Sequence, residues 1–248
     1  MKVKELAVRN GLWNALSTGF AGVTGLLGSV LVVRSLPSSD YGVFSYYLWL
    51  ASIAVAVATL ALPISLTKVT SELIGQGDDG EASALSVSVI LGVLALGTLI
   101  TLGFLIWAFS ASSSQRIFLL IIAAVMVPHS VTPVLLSVLW GRQRYKPVAI
   151  MLLVASCWQL ALIGLAFREG WGSAGFVVAI LSGNVVNAAG LCLVLARGRD
   201  AIYRSWREFR LPRQSTQRRF VAFLVPATFS QLFTVVVWSG PKSSSLNG

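Results

Sequence analysis

Residues 85–109 read LSVSVILGVLALGTLITLGFLIWAF, an unbroken apolar run without a single charged side chain. A helix needs about 20 mostly apolar residues to cross a hydrocarbon core of roughly 30 Å. The run is also longer than a barrel strand, and lipid offers no hydrogen-bond partners to an open backbone. The stretch therefore predicts an α-helix that spans a membrane.

Six further runs of the same kind precede and follow this one. The seven predicted spans are Leu12–Val33, Tyr41–Leu66, Leu85–Phe109, Ile117–Trp140, Val148–Phe167, Ala174–Ala196 and Phe220–Trp238. The whole chain is 56% hydrophobic and only 11% charged, whereas soluble domains carry about 25% charged residues. The sequence therefore predicts an all-α, polytopic transmembrane helix bundle with a six-helix lobe plus a seventh helix.

Nearly all of the basic residues lie in the short gaps between these runs. The net charge of +10 and the pI near 10.3 would also suit a nucleic-acid-binding protein, but such proteins place their basic residues on a water-exposed domain. Basic residues at the ends of spans instead meet anionic lipid headgroups. We therefore expect anionic membrane lipids as partners and no nucleic acid.

The basic residues also fall mainly on one side of the predicted membrane. The side of the amino terminus has Lys2, Lys4, Arg9, Lys68, Arg142, Arg144, Lys146, Arg197, Arg199, Arg204, Arg207, Arg210, Arg213, Arg218 and Arg219. The other side has only Arg34, Arg116 and Arg168, and Lys242 lies in the tail. Because cytoplasmic loops carry the excess of Lys and Arg, the amino terminus is predicted to be cytoplasmic. The chain is predicted to be a multi-pass protein of the cell inner (cytoplasmic) membrane.

The runs divide the chain into three predicted parts. Residues 1–196 form the six-helix N-terminal lobe, residues 197–219 a basic cytoplasmic linker, and residues 220–248 the seventh helix with a polar tail. The linker has two compatible interpretations: an amphipathic helix on the inner leaflet, or a connection whose charges only enforce the topology. In the first, the side chains that dip into the lipid are Ile202, Trp206 and Phe209. The acidic stretch GQGDDGE at residues 75–81 is predicted to be a solvated turn.

None of the nine acidic residues falls at membrane depth. Transporters driven by protons or sodium usually keep a buried carboxylate as a relay, so carboxylate coupling is not expected in this part of the molecule. The chain also lacks paired carboxylates, a metal-ligand cluster, a Ser/His/Asp constellation and a phosphate-binding loop. Cys157 and Cys192 lie inside apolar runs without CxxC spacing, which is typical of small packing residues. We expect no catalytic activity, no cofactor and no bound metal.

The first span combines glycine with uncharged polar residues. Its glycines recur every third residue among the polar side chains, and the set comprises Asn14, Ser17, Thr18, Gly19, Gly22, Thr24, Gly25 and Gly28. Small residues let helices approach closely, so tight helix packing is the first interpretation. The alternative is a groove wide enough for a ligand, with Asn14 as part of its lining.

Two titratable residues are further candidates for the lining of a substrate cavity. His129 lies between Pro128 and Pro133, which interrupt backbone hydrogen bonding. Its ring either gates the fourth span or is satisfied by a freed carbonyl. Lys68 follows Pro63 and either snorkels to the headgroups or faces a cavity, where its charge would suit a pyrophosphate.

Two amides complete the candidates. Asn184 and Asn187 are three residues apart, so they share a face of the sixth span. Gln159 occupies the fifth span. These amides either hydrogen-bond a sugar or hold neighbouring helices together, and the sequence does not decide between the two.

The stretch at residues 25–78, GLLGSVLVVRSLPSSDYGVFSYYLWLASIAVAVATLALPISLTKVTSELIGQGD, resembles the start of polysaccharide (O-antigen type) flippases of the multidrug/oligosaccharidyl-lipid/polysaccharide exporter superfamily. In that family a first helix ends in an arginine, a leucine and a short turn before Tyr-Gly. A second helix ends in a basic residue and a polar turn with Gly-Asp. The stretch RRFVAFLVPATFSQLF likewise looks like the opening of the family's seventh helix. The matching positions are Arg34, Leu36, Asp40, Tyr41, Gly42, Lys68, Glu72, Gly77, Asp78, Arg219, Phe220 and Pro226.

This resemblance implies an exporter that moves a lipid-linked oligosaccharide of the undecaprenyl type through a cavity between two six-helix lobes. The family is expected to have about twelve helices or more, so the chain is expected to be truncated after its first lobe and to need a second lobe or a second copy. Two alternatives stay open. One is a multidrug-type exporter of the same superfamily, which would need an acidic residue in its cavity. The other is an inactive fragment or membrane scaffold.

Overall fold

A computed structural model describes residues 3–197 and 211–239 of the chain, and every element in these ranges is a helix. The helices are α1 (Val3–Ser35), α2 (Ser38–Thr59), α3 (Leu62–Gly75), α4 (Asp79–Ser110), α5 (Ser113–Gly141), α6 (Tyr145–Glu169), α7 (Gly172–Arg197) and α8 (Gln214–Ser239). The predicted all-α class is therefore confirmed. Most of the predicted linker and the polar tail lie outside the described residues.

Six segments of the described chain are long and apolar enough to cross a membrane. They are Val8–Ser35, Ser38–Gly75, Asp79–Ser110, Ser113–Gly141, Tyr145–Glu169 and Gly172–Arg197. Each contains or overlaps one of the first six predicted spans, which confirms a polytopic six-helix lobe. The seventh helix, α8, is present and begins at Gln214, before the predicted start at Phe220. That α8 also spans the membrane stays a prediction.

The second membrane segment is broken, which the sequence pattern did not predict. α2 ends at Thr59, Leu60 has a positive φ of 44°, and α3 begins at Leu62. Pro63 stands in the first turn of α3, where its missing N–H costs nothing, but it cannot continue the hydrogen-bond ladder of α2. The segment therefore consists of a long helix followed by a 14-residue helix.

Two hydrophobic clusters hold the two ends of the bundle. One joins the end of α1, the start of α2 and the start of α5, and in it the rings of Tyr47 and Phe118 stack with their centroids 4.4 Å apart. The other joins α3, the start of α4, the end of α5 and the start of α8, with Leu66, Val138 and Phe220 among its buried members. Side chains from distant parts of the chain thus close each end of the lobe.

The second cluster lies at one end of the bundle, which we call the basic end. At this end α1, α4, α6 and α8 begin and α3, α5 and α7 end. We call the opposite end of the bundle the far end. Arg9, Arg142, Arg144 and Lys146 lie in the elements that meet at the basic end. The fold therefore gathers basic residues that the sequence places on one side of the membrane. That this side is cytoplasmic stays a prediction.

Candidate functional site

The fold brings together only two of the five predicted cavity residues. His129 on α5 lies within hydrogen-bonding reach of the side chain of Asn184 on α7. Beside them the Thr132 hydroxyl donates to the backbone carbonyls of Pro128, at 2.7 Å, and of Asn184, at 3.3 Å. α5 continues as a helix through both prolines. The contact joins α5 to α7 and gives the histidine an amide side chain as a neighbour; that its ring gates the span or meets a freed carbonyl stays a prediction.

Of the other three candidates, Asn187 lies one helical turn beyond Asn184 on α7, whereas Lys68 and Asn14 lie on α3 and α1. Asn187 is buried on α7, and in the described part of the chain its Oδ1 has no hydrogen-bond partner. Lys68 lies at the basic end, with its Nζ 3.6 Å from the ring centroid of Phe223 on α8. Asn14 is exposed on α1. Contact of any of the five residues with a substrate stays a prediction.

Asn14 lines a cavity of about 400 Å³ at the basic end, which we call the basic-end pocket. Its other lining residues are Asn10 and Gly11 of α1, Gln143 of the α5–α6 turn and Tyr145 at the start of α6. The side chains that line it are all uncharged and polar. The pocket therefore offers amide and hydroxyl groups where α1 meets the turn between α5 and α6.

Gln143 enters this pocket from an unusual backbone conformation. Its φ of 56° lies in the left-handed region, where the conformation of a residue with a side chain costs roughly 1–2 kcal/mol of free energy. The N–H of Arg144 donates to the carbonyl of Leu139 at 2.9 Å, which closes the helix end in a Schellman motif. The same motif after α6 has glycine in the left-handed position, at Gly170. A glutamine therefore occupies a position that glycine would fill with less strain.

A second cavity, which we call the far cavity, opens nearer the far end between α1, α2, α6 and α7. It has a volume of about 390 Å³. Its polar lining consists of Ser29, Tyr41, Ser45 and Gln159, and the remainder is glycine and apolar side chains. Gln159 was one of the amides singled out in the sequence. No acidic or basic residue lines either cavity.

One face of α1 runs between the two cavities. The α1 open face consists of residues spaced by three or four positions, all exposed: Gly11, Asn14, Thr18, Gly22, Gly25 and Ser29. A Cβ added at any of its three glycines would meet no atom of the described chain within 4 Å. Within the described chain, the predicted tight packing of the glycines is therefore absent at Gly22 and Gly25 of this face, as it is at Gly19. It holds only at Gly28, where an added Cβ would lie 2.9 Å from Cδ1 of Ile163.

The acidic turn between α3 and α4 is not simply solvated, contrary to the sequence-based expectation. Glu81 is only 9% exposed, and its carboxylate accepts a hydrogen bond from the backbone N–H of Arg213, just before α8. The Arg213 guanidinium also lies 3.2 Å from Asp78. Six residues further on, in α8, Arg219 pairs with Glu72 at 2.8 Å. These contacts dock the start of α8 onto the six-helix lobe.

No group of three or more His, Cys, Asp or Glu residues that could hold a metal ion occurs among residues 3–197 and 211–239. The free Cys157 and Cys192 are exposed and lie on separate helices, so their expected role as packing residues does not hold within this lobe. The chemistry of the cavities is consequently hydrogen bonding by uncharged groups.

Several residues of the cavities escaped the sequence analysis. Nothing in the local pattern predicts that Gln143 adopts a left-handed conformation, because that position is usually glycine. The sequence pattern identifies Tyr41 only as part of a family motif and does not identify Ser45 or Tyr145. Each becomes a lining residue only because a helix distant in sequence lies opposite to it.

Comparison with known proteins gives both a family and a fold. The family described as "Polysaccharide biosynthesis protein" matches residues 7–242. A search of curated protein sequences found no match. Among solved structures, an outward-facing multidrug resistance MATE family transporter of the MOP superfamily is 19% identical, with a TM-score of 0.74 over 95% of this chain and 54% of that chain.

Two further structures share the same fold. A MOP superfamily transporter from Pyrococcus furiosus, described as having a binding pocket of reverse polarity, is 20% identical with a TM-score of 0.75; the match covers 95% of this chain and 54% of that one. A MATE protein in complex with Br-NRF is 19% identical with a TM-score of 0.75, over 95% of this chain and 57% of that one. The chain thus spans about half the length of these proteins.

The likeness in structure establishes the fold, and the family match covers nearly the whole chain. Six apolar helices of spanning length also make the molecule a multi-pass membrane protein. This chain therefore belongs to the polysaccharide biosynthesis protein family.

Proposed function

We propose that this chain acts in a flippase that moves a lipid-linked oligosaccharide across the cytoplasmic membrane during cell-surface polysaccharide biosynthesis. The observation that carries the proposal is the α1 open face, which joins the basic-end pocket to the far cavity. It presents glycine, asparagine, threonine and serine, and no charge. A route of this kind would serve a cargo that is polar, bulky and rich in hydroxyl groups.

The energetics of the cargo favour such a route. A hydroxyl group moved from water into hydrocarbon without a partner costs several kcal/mol, and an oligosaccharide carries many. Hydroxyls and amides along α1 would replace water as partners during the passage, and the open glycines would leave room for sugar rings. Tyr41 and Gln159 in the far cavity would add an aromatic ring and an amide.

A multidrug-type exporter is the second candidate, because the chain shares its fold with MATE proteins. A cationic drug would need an acidic partner in the cavity, since an unpaired buried charge is expensive. The two described cavities contain none. The charge of the lining therefore supports the oligosaccharide over a cationic cargo.

The proposed orientation places the basic end in the cytoplasm of the cell and the far cavity toward the outside. The excess of Lys and Arg at the basic end supports this arrangement. Alternating access by two lobes would require a second lobe or a second copy beside the described one. The α1 open face would then be covered by that partner and would line the path between them.

The experiment measures the transport of a fluorescent lipid-linked oligosaccharide in proteoliposomes, for the chain alone and for the chain joined to a second lobe. Gly25→Val fills the open face where it meets the far cavity and is expected to lower the transport rate about tenfold or more. Gly92→Val is the matched control, because Gly92 is an exposed α4 glycine with open space around it and lines neither cavity. Its rate should stay within about twofold of the parent rate.

Four results would contradict the proposal or a part of it. An equal loss of transport rate in Gly25→Val and Gly92→Val would show that the α1 open face has no specific role in transport. Efflux of a cationic dye without movement of the glycan would favour the multidrug exporter. Transport at the background rate, both for the chain alone and for the chain joined to a second lobe, would favour an inert scaffold. Equal rates above background for the two preparations would refute the need for a second lobe.

A further inference from the structure

We infer that the basic-end pocket is a binding site for the phosphate group of an anionic headgroup. The site goes beyond the proposed transport, because its occupancy is measurable without any movement of cargo. Its four side chains, from Asn10, Asn14, Gln143 and Tyr145, all carry hydrogen-bond donors and none carries a negative charge. Gly11 has open space where a Cβ would stand, so a ligand has room beside the backbone of α1.

The surrounding charge selects phosphate over a neutral sugar. Lys146 follows Tyr145 directly, and its Nζ lies 6.0 Å from the ring centroid of Trp13, the neighbour of Asn14 on α1. Arg9 and Glu5, five and nine positions before Asn14, both lie on the opposite side of α1 from it, at about 140° and 180° around the helix at 100° per residue. The pocket therefore has hydrogen-bond donors inside it and the ammonium group of Lys146 beside it.

Lys68, the residue that the sequence offered for a pyrophosphate, is engaged elsewhere. Its Nζ lies 3.6 Å from the ring centroid of Phe223, against α8. The cation next to an open polar cavity is instead Lys146. The anion site that the sequence suggested at Lys68 on α3 is therefore assigned to the junction of α1 and the α5–α6 turn.

The backbone of Gln143 gives this junction its second feature. The helix ends after α3 and after α6 place Gly77 and Gly170 in the left-handed position, whereas the end of α5 places Gln143 there. A glycine would complete the same turn with less strain but would remove the amide that lines the pocket. Binding of a ligand by that amide would account for the strained backbone conformation.

Phosphate at this position has two sources, a lipid headgroup in the membrane or a free phosphate in solution. The experiment separates them by titrating the purified full chain, in an uncharged detergent, with dihexanoyl phosphatidic acid, with dihexanoylglycerol and with inorganic pyrophosphate. The heat of binding gives the affinity for each. We expect phosphatidic acid to bind and dihexanoylglycerol, which lacks the phosphate, not to bind. If pyrophosphate binds and the same variants weaken its binding, the site recognises the phosphate group alone. If pyrophosphate does not bind, the site recognises a lipid headgroup.

The variants test the residues. Lys146→Gln should weaken phosphatidic acid binding about tenfold or more, since it removes a charge-assisted contact. Gln143→Gly should weaken it severalfold while raising the melting temperature, a combination that a merely structural glutamine would not give. Arg218→Gln is the control, because it removes an exposed cation at the same end of the bundle, on α8 and outside the pocket. Its affinity should equal that of the parent chain.

The inference would be overturned by equal binding of phosphatidic acid and dihexanoylglycerol, or by equal affinities of Lys146→Gln and Arg218→Gln. Full affinity in Gln143→Gly would overturn the role of the glutamine amide. Asn14→Ala provides an independent variant on α1, and circular dichroism confirms that each variant is folded. A failure of glycan transport would leave these binding results unchanged, so the two proposals fail separately.

Discussion

Removal of the Glu81 carboxylate tests whether the start of α8 is docked on the six-helix lobe. Glu81 is 9% exposed and accepts a hydrogen bond from the backbone N–H of Arg213. A hydrogen bond to a charged group contributes about 1.5–3 kcal/mol. The Arg213 side chain is 72% exposed and its Nε lies 4.0 Å from Glu81, so this ion pair adds only about 0–1 kcal/mol. We therefore expect Glu81→Ala to cost about 2–3 kcal/mol.

This cost predicts a fall in melting temperature of roughly 4–12 °C for a chain of this length, measured by circular dichroism in detergent. Glu81→Gln keeps an acceptor for the N–H and should lose only about 1 kcal/mol, or roughly 2–4 °C. Glu169→Ala is the matched control, because Glu169 pairs with Arg168 at 3.5 Å while both side chains are at least half exposed; its shift should stay below about 2 °C. Equal shifts for Glu81→Ala and Glu169→Ala would refute the docking.

Three further predictions concern packing, ion pairing and orientation. Gly141→Ala should lower the melting temperature by several degrees relative to Gly164→Ala, because an added Cβ at Gly141 would lie 3.0 Å from atoms of α3 and one at Gly164 would meet nothing within 4 Å. Glu72→Arg should destabilise the chain by about 1 kcal/mol and Arg219→Glu should restore most of the loss; an additive double variant would contradict the pair at 2.8 Å. A tag inserted in the turn at residues 142–144 should be labelled only after the cells are permeabilised, and labelling of intact cells would reverse the proposed orientation.

The membrane-spanning helices could be predicted from the sequence because apolar length is a local property. Residues 85–109 exceed the length that a bilayer requires, whatever the rest of the chain does. The gathering of Arg9 and Arg142 at one end also follows from the number of crossings between them. The break at Leu60 was missed, because a proline such as Pro63 either bends a helix or starts a new one, and the surrounding contacts decide which.

The candidate site depended much more on tertiary structure. On α1, Gly25 and Gly28 are three positions apart in the same pattern, yet one faces open space and the other faces Ile163. Similarly, the sequence offered Lys68 as a partner for an anion, but the approach of α8 placed an aromatic ring against it. Local pattern identified these residues as unusual but gave no partner for any of them.

By itself, the sequence determined that this chain is a bundle of membrane helices with uncharged polar residues inside and basic residues at one end. Only the tertiary structure decided which face of α1 stays open, which turn presents Gln143 to a pocket, and that Glu81 meets Arg213 instead of water. The physical reason is that hydropathy acts along one segment, whereas an open face or an ion pair depends on how helices far apart in the chain pack against each other.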